Sequence, residues 1–167
     1  IEPLETITKT LRHYKKEMKS IPDDFPLLHT DAAQAFQYLP IRVVKPGIDL
    51  MTISSGKIYG PRGIALLYIK NNVVMNPIMP GGGQEDGMRG GTEATALIIG
   101  FAKAMEEAVK IRGKESVRLL KIFESAKREL AKQIPQATLL GHSVNRLPNN
   151  FCFSIVGIES DYLMPQT

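Results

Sequence analysis

Two apolar runs, Asp49-Leu50-Met51-Thr52-Ile53-Ser54 and Ile64-Ala65-Leu66-Leu67-Tyr68-Ile69, are separated only by Ser55 to Gly63, a stretch that holds Gly56, Gly60, Pro61 and Gly63. A parallel crossover needs about a dozen residues or more, so these two strands are expected to pair antiparallel. Upstream, helix and strand alternate. Leu4, Ile7, Leu11, Tyr14 and Met18 recur at helical spacing, with Lys9, Arg12, Lys15, Lys16 and Lys19 mostly on the other side of the wheel. Pro22-Asp23-Asp24 ends that helix, Phe25 to Thr30 reads as a short buried strand, and Asp31 to Phe36 as a loop turning into a short helix. Such alternation defines an α/β fold with a mixed sheet.

Downstream of the second apolar run the pattern is helical. Pro77 to Thr92 is loop-like, with Gly81-Gly82-Gly83-Gln84 and Arg89-Gly90-Gly91-Thr92, and a helix is expected from Glu93 with Thr92 as its N-cap. Its stripe is Leu97, Phe101, Met105 and Ala108, flanked by Ala94, Ile98 and Ala102. Gly113 interrupts it, and Val117, Leu120, Phe123, Ala126 and Leu130 resume it with a shift. That break fits either a bend or a helix passing from one domain into another. Pro135 stops the helix, and Ala137–Gly141 and Asn150–Val156 are strand candidates. In the second of these Cys152 alternates away from Phe151, Phe153 and Ile155, as a structural cysteine would.

Composition excludes several classes. An apolar share of 43% and a charged share of 23% are those of an ordinary globular chain and not of a disordered one. The net charge of +4 comes from basic residues spread along helices without interleaved aromatics, which argues against nucleic-acid binding. No apolar run is long enough for a membrane span. A single cysteine, Cys152, agrees with a reducing cytoplasm. No His or Cys pair has metal-ligand spacing. A P-loop is excluded at Gly56-Lys57, because Met51 stands where its first glycine would be and Ile58 where its Ser or Thr would be. Opening on Ile1 without an initiator Met and stopping after Pro165-Gln166-Thr167, the chain reads as an internal fragment.

The chemistry-bearing residues lie past strand ends. In open α/β sheets ligands gather at the carboxyl ends of strands, and both Asp31 and Lys57 follow such an end. Apolar neighbours Ile58 and Tyr59 would desolvate the Lys57 ammonium and favour the free amine that condenses with an aldehyde. A solvated turn lysine and an N-capping Asp31 are the plainer alternatives. The triple glycine suits an anion, a tight crossing of chains or a flexible loop.

Four motifs in order, His29-Thr30-Asp31-Ala32-Ala33-Gln34, Ser54-Ser55-Gly56-Lys57-Ile58-Tyr59-Gly60-Pro61-Arg62-Gly63, Gly81-Gly82-Gly83-Gln84-Glu85 and Arg89-Gly90-Gly91-Thr92-Glu93, resemble those of the cysteine desulfurases. These are pyridoxal 5'-phosphate (PLP) enzymes of the class V aminotransferase group with fold type I architecture. The resemblance implies that residues 1–112 form the second half of a large domain with a mixed, mostly parallel sheet, and that 113–167 begin an α+β small domain. It implies Lys57 as the catalytic lysine that holds PLP covalently, Asp31 as the partner of the pyridine nitrogen, Gln34 as the partner of the phenolic oxygen, and Ser54 as a phosphate ligand. Thr92 is implied as a phosphate ligand given to the other subunit of a homodimer. The implied reaction takes L-cysteine to L-alanine and passes sulfur, as a persulfide, to an acceptor protein, the kind of transfer that feeds iron–sulfur cluster assembly. Selenocysteine lyase, another class V aminotransferase, or an inactive dimerisation fragment are the alternatives. The stretch from Arg12 to Asp24 reads as a surface insertion, and Gly56 replaces the family's usual phosphate-binding His. The sulfur-accepting cysteine and the substrate-clamping arginine would follow Thr167, so turnover by this segment alone is not expected, and Cys152 does not match the former.

Overall fold

The computed structural model describes residues 1–18, 25–43 and 47–158. The chain divides into two compact units, Glu2–Lys110 and, with Ile1, Ile111–Thr167. The first unit holds α1 (Leu4–Glu17), β1 (His29–Asp31), β2 (Leu50–Ser54) and β3 (Ala65–Ile69). The helix α2 (Thr95–Gln133) begins in it and continues into the second unit, which adds β4 (Ala137–Leu139) and β5 (Phe153–Ile155).

The sheet of the first unit has the order β1-β2-β3, with β1 parallel to β2 and β3 antiparallel to it. The short Gly/Pro connection thus has the expected outcome, and the fold is a mixed α/β one. Alternation along β2 sorts its residues: Met51 and Ile53 are buried to within a few per cent, while Leu50, Thr52 and Ser54 stay half-buried on the opposite face. Met51 and Ile53 join Ala32, Phe36, Ile48, Ile58, Phe101 and Ala108 in one core. Each large apolar side chain there contributes about 1.5–3 kcal/mol relative to exposure.

Two helices close over this core. In α1 the buried residue is Thr8, outside the apolar stripe, whose hydroxyl donates to the Leu4 carbonyl at 2.8 Å. Tyr14 and Met18, counted in that stripe, are exposed. The expected stop at Pro22–Asp24 lies outside the described residues. The stretch from Arg12, expected as an insertion, is helical as far as Glu17, and its part beyond Met18 is likewise outside them.

In α2 Phe101, Met105 and Ala108 of the expected stripe face the core while Leu97 is only half-buried, and the flank is Gly100 and Ala104 and not Ile98 and Ala102. Gly113 neither breaks nor ends the helix, which runs unbroken for 39 residues. Helix propensity explains this, since one glycine costs about 1 kcal/mol against Ala and its neighbours are strong helix formers.

β1 departs from expectation. It starts only at His29, well past Pro26, which has no N–H to give a ladder, and it alternates exposed, half-buried, exposed. In the second unit β4 and β5 pair antiparallel with Ala137 opposite Ile155. Phe123 stacks edge-on against Phe151 at 5.5 Å, and the Arg146 guanidinium lies 4.6 Å over the Phe123 ring. Cys152 is exposed, off the apolar row, as its alternation predicts.

Candidate functional site

The parallel pairing of β1 and β2 places their carboxyl ends at one edge. Asp31 is the last residue of β1 and sits opposite Thr52, and Ser54 ends β2 two residues further on. Residues paired across a ladder and residues two apart on a strand point to the same side. His29, Asp31, Thr52 and Ser54 therefore share the face opposite Met51 and Ile53. By strand geometry the Asp31 and Ser54 backbones are roughly 8 Å apart on the diagonal, a little under 7 Å along and about 4.8 Å across.

Asp31 does not cap a helix. Its Oδ1 accepts the Ala33 N–H at 2.9 Å, and the Ala32 N–H donates to the Thr52 carbonyl at 2.9 Å. The residues that follow form successive turns and no regular helix, because Ala35 and Phe36 both donate to the Ala32 carbonyl before the chain turns again. One carboxylate oxygen thus holds the turn, and Oδ2 is left for a second donor. Gln34 lies in that turn, exposed. Sequence reasoning gave no role to His29, yet its Nε2 is 2.9 Å from Thr52 Oγ1, so the side chain directly opposite Asp31 is itself held.

Lys57 is the last residue of a single 3-10 turn, Ser55–Lys57, that begins directly after β2. The Ser55 carbonyl accepts both the Ile58 and the Gly60 N–H at 3.0 Å, and Ser55 itself is fully buried. Ile58 dives into the core at 2% exposure while Tyr59, with φ 63°, is turned outward at 80%. Neither covers Lys57, which is exposed, so the expected desolvation by Ile58 and Tyr59 does not occur within this chain. Gly56 is open on its side-chain face, since a Cβ there would meet only Arg62 Cγ, at 3.8 Å.

Thr92 belongs to a different segment. It is exposed and stands three residues ahead of α2, so it is not the helix N-cap; Thr95 donates instead to the Glu93 carbonyl from both its amide, at 2.9 Å, and its hydroxyl. The triple glycine resolves toward a crossing of chains. Gly81, Gly82 and Gly83 all have positive φ, and a Cβ on Gly90 would lie 2.8 Å from the Gly81 carbonyl oxygen. Gly83, Gly87 and Gly90 spend their amides on carbonyls of the same loop and its approach, and Gly91 on Gln84 Oε1. Asp31 and Ser54 thus share one face at the ends of adjacent strands, Gln34 lies in the turn after β1 and Lys57 in the turn after β2, and Thr92 is on another loop.

A buried carboxylate at the amino end of β2, Asp49, escaped the sequence reading. Asp49 Oδ2 accepts the Leu28 N–H and Oδ1 the Lys70 ammonium, each at 3.0 Å. Burial works to raise its pKa, but the Leu28 N–H and Lys70 outweigh that, and the carboxyl titrates below its ordinary range. Among the described residues no group of three or more His, Cys, Asp and Glu could hold a metal ion, and no helix is long and apolar enough to cross a membrane.

A carboxylate and a hydroxyl share one face at the ends of β1 and β2, and a carboxamide and an amine follow in the turns after those strands, groups that can pair with a ring N–H and condense with an aldehyde. The chain belongs to the aminotransferase class-V family, which it matches over residues 1–165. Among curated relatives it is 38% identical over 164 residues to the cysteine desulfurase IscS of Dictyoglomus turgidum, covering 98% of this chain and 39% of that protein. To the cysteine desulfurase IscS of Clostridium botulinum strain Hall it is 42% identical over 138 residues, covering 81% and 35%. Among solved structures, the NifS-like protein of Rickettsia africae superposes with a TM-score of 0.84 at 29% identity, over 95% of this chain and 41% of that one. The chain spans about two fifths of the length of the curated relatives it matches.

Proposed function

We propose that this chain carries part of the PLP site of a cysteine desulfurase that converts L-cysteine to L-alanine and hands the sulfur to an acceptor protein. The observation that supports this most is that Asp31 and Ser54 share one face at the carboxyl ends of two adjacent parallel strands, with Lys57 only three residues beyond Ser54. When bound, PLP supplies an electron sink for the substrate's Cα. Asp31, oriented by the Ala33 N–H, would accept a hydrogen bond from the ring nitrogen and keep it protonated. Gln34 would donate to the phenolic oxygen and the Ser54 hydroxyl to the phosphate. Lys57 would hold the cofactor through its amine and then move the proton at Cα.

Thr92 of the partner subunit completes the phosphate seat in a homodimer, which agrees with the exposure of the segment carrying Thr92. On the same reading residues 1–112 belong to the large domain, residues 113–167 open the small one, and the protein works in the cytoplasm. Gly56 leaves out a charge-assisted hydrogen bond worth about 1.5–3 kcal/mol, so cofactor affinity is lower than with a His there.

The test is direct. The chain is mixed with PLP, reduced with borohydride and digested, and the modified peptide is identified by mass spectrometry. Modification at Lys57, absent in Lys57→Ala and weakened in Asp31→Asn, is expected. Equal labelling of many lysines with no preference for Lys57 would sink the assignment.

A further inference from the structure

Two glycines of α2 stand in opposite surroundings. A Cβ on Gly113 would meet nothing within 4 Å, whereas one on Gly100 would lie 3.0 Å from Pro61 Cγ and 3.3 Å from Pro61 Cδ. One turn further along, Ala104 Cβ would be 3.0 Å from a Cβ on Gly60, and that same Cβ would overlap the hydroxyl of the fully buried Ser55. Neither Gly60 nor Gly100 has a positive φ. Conformational freedom therefore does not explain them, and what each site requires is the missing side chain. The lysine turn is wedged between Ile58, sunk in the core, and the Gly100–Ala104 side of α2.

We infer that Gly100 is a positioning residue for Lys57: by letting α2 approach Pro61 it fixes the turn whose third residue is the lysine. The mechanical path is short. Pro61 follows Gly60, whose N–H donates to the Ser55 carbonyl at 3.0 Å, and that carbonyl also accepts the Ile58 N–H. A methyl group at Gly100 forces Pro61 outward by a few tenths of an ångström, and the displacement acts on the two bonds that close the turn around Lys57. Proline transmits such a push because its ring fixes φ.

This rests on the PLP reading for its functional meaning, so the experiment has one arm that does not involve PLP. The first arm measures hydrogen exchange of the Ile58 and Gly60 amides by NMR. The second measures the rate of borohydride-trapped PLP attachment at Lys57. In Gly100→Ala, exchange at both amides is expected to accelerate. The attachment rate is expected to fall about fivefold, against roughly 10²-fold for a full ångström of misplacement. Adding Pro61→Ala removes the Cγ and Cδ that the new methyl meets, and restores both readouts toward those of the unsubstituted chain. Gly113→Ala, on the same helix with the same gain in propensity, changes neither.

An unchanged turn in Gly100→Ala, or a loss that Pro61→Ala does not reverse, would overturn the inference. Should Gly100→Ala alone fail to fold, the double variant decides by the same comparison with Pro61→Ala. If the unsubstituted chain takes no PLP at Lys57, the functional reading fails, and the exchange arm still decides whether Gly100 positions the turn.

Discussion

The lysine turn and the loop from Pro80 to Thr92 are both rich in glycine, and the proposed function gives both a part in holding phosphate, yet the chain treats them in opposite ways. The first is anchored: Ser55 and Ile58 are buried, the Ser55 carbonyl takes two amides, and α2 presses on Gly60 and Pro61. The second is tied mainly to itself, by Gly90 donating to the Met79 carbonyl at 2.7 Å and Gly91 to Gln84 Oε1, and its side chains are mostly exposed. Gly60 at the turn makes room for Ser55 and Ala104, while every glycine of the loop except Gly90 supplies positive φ. The difference agrees with the proposed roles, since Lys57 must be held by its own subunit whereas Thr92 serves another.

The comparison can be broken most severely at Ile58. Truncating this side chain, 2% exposed under the turn, leaves a cavity, and Ile58→Ala is expected to cost about 2–5 kcal/mol in urea unfolding. A loss below about 1 kcal/mol would mean that the turn is not core-anchored.

A smaller effect concerns the frame that carries the turn. Asp49 pins the amino end of β2 to Leu28 and Lys70, and its folded-state pKa is lowered. A depressed carboxylate stabilises the fold at pH values above the unfolded pKa of about 3.9 and loses that contribution as pH falls through the folded value. The stability difference between the unsubstituted chain and Asp49→Asn should therefore be flat near neutrality and shrink below about pH 4. A difference that grows on acidification would contradict the ion pair.

The smallest effect belongs to the loop's approach. Ile78 is 97% exposed, so Ile78→Ser should leave stability within about 0.5 kcal/mol. A larger loss would show the loop leaning on its own unit.

Period and punctuation made much of this legible. The apolar run from Asp49 to Ser54 located β2, and the shortness of Ser55–Gly63 gave the antiparallel pair. The strand pattern put Lys57 past the end of one of two neighbouring strands and Asp31 past the other, although Asp31 is itself the last residue of β1. What escaped depends on partners remote in sequence. Asp49 finds Leu28 and Lys70, each 21 residues away, and no local pattern reports that meeting. Tyr59 looked like a cover for Lys57 because apolar letters carry no direction, and its left-handed backbone sends it the other way. Gly113 looked like a break because propensity is local, while a long helix absorbs one weak position. Gly100 gave no signal at all, since its meaning is the proline it touches.

The self-closure of the Met79–Gly90 loop has a practical consequence. Its two stems meet within one hydrogen bond, so the segment between them is a detour whose ends stay together whatever its length. Lengthening such a detour costs little entropy, about 0.6 kcal/mol per doubling. A fluorophore-bearing cysteine or a short epitope spliced between Gly82 and Gly87 would therefore report on this molecule from outside, leaving β3 and α2 in register.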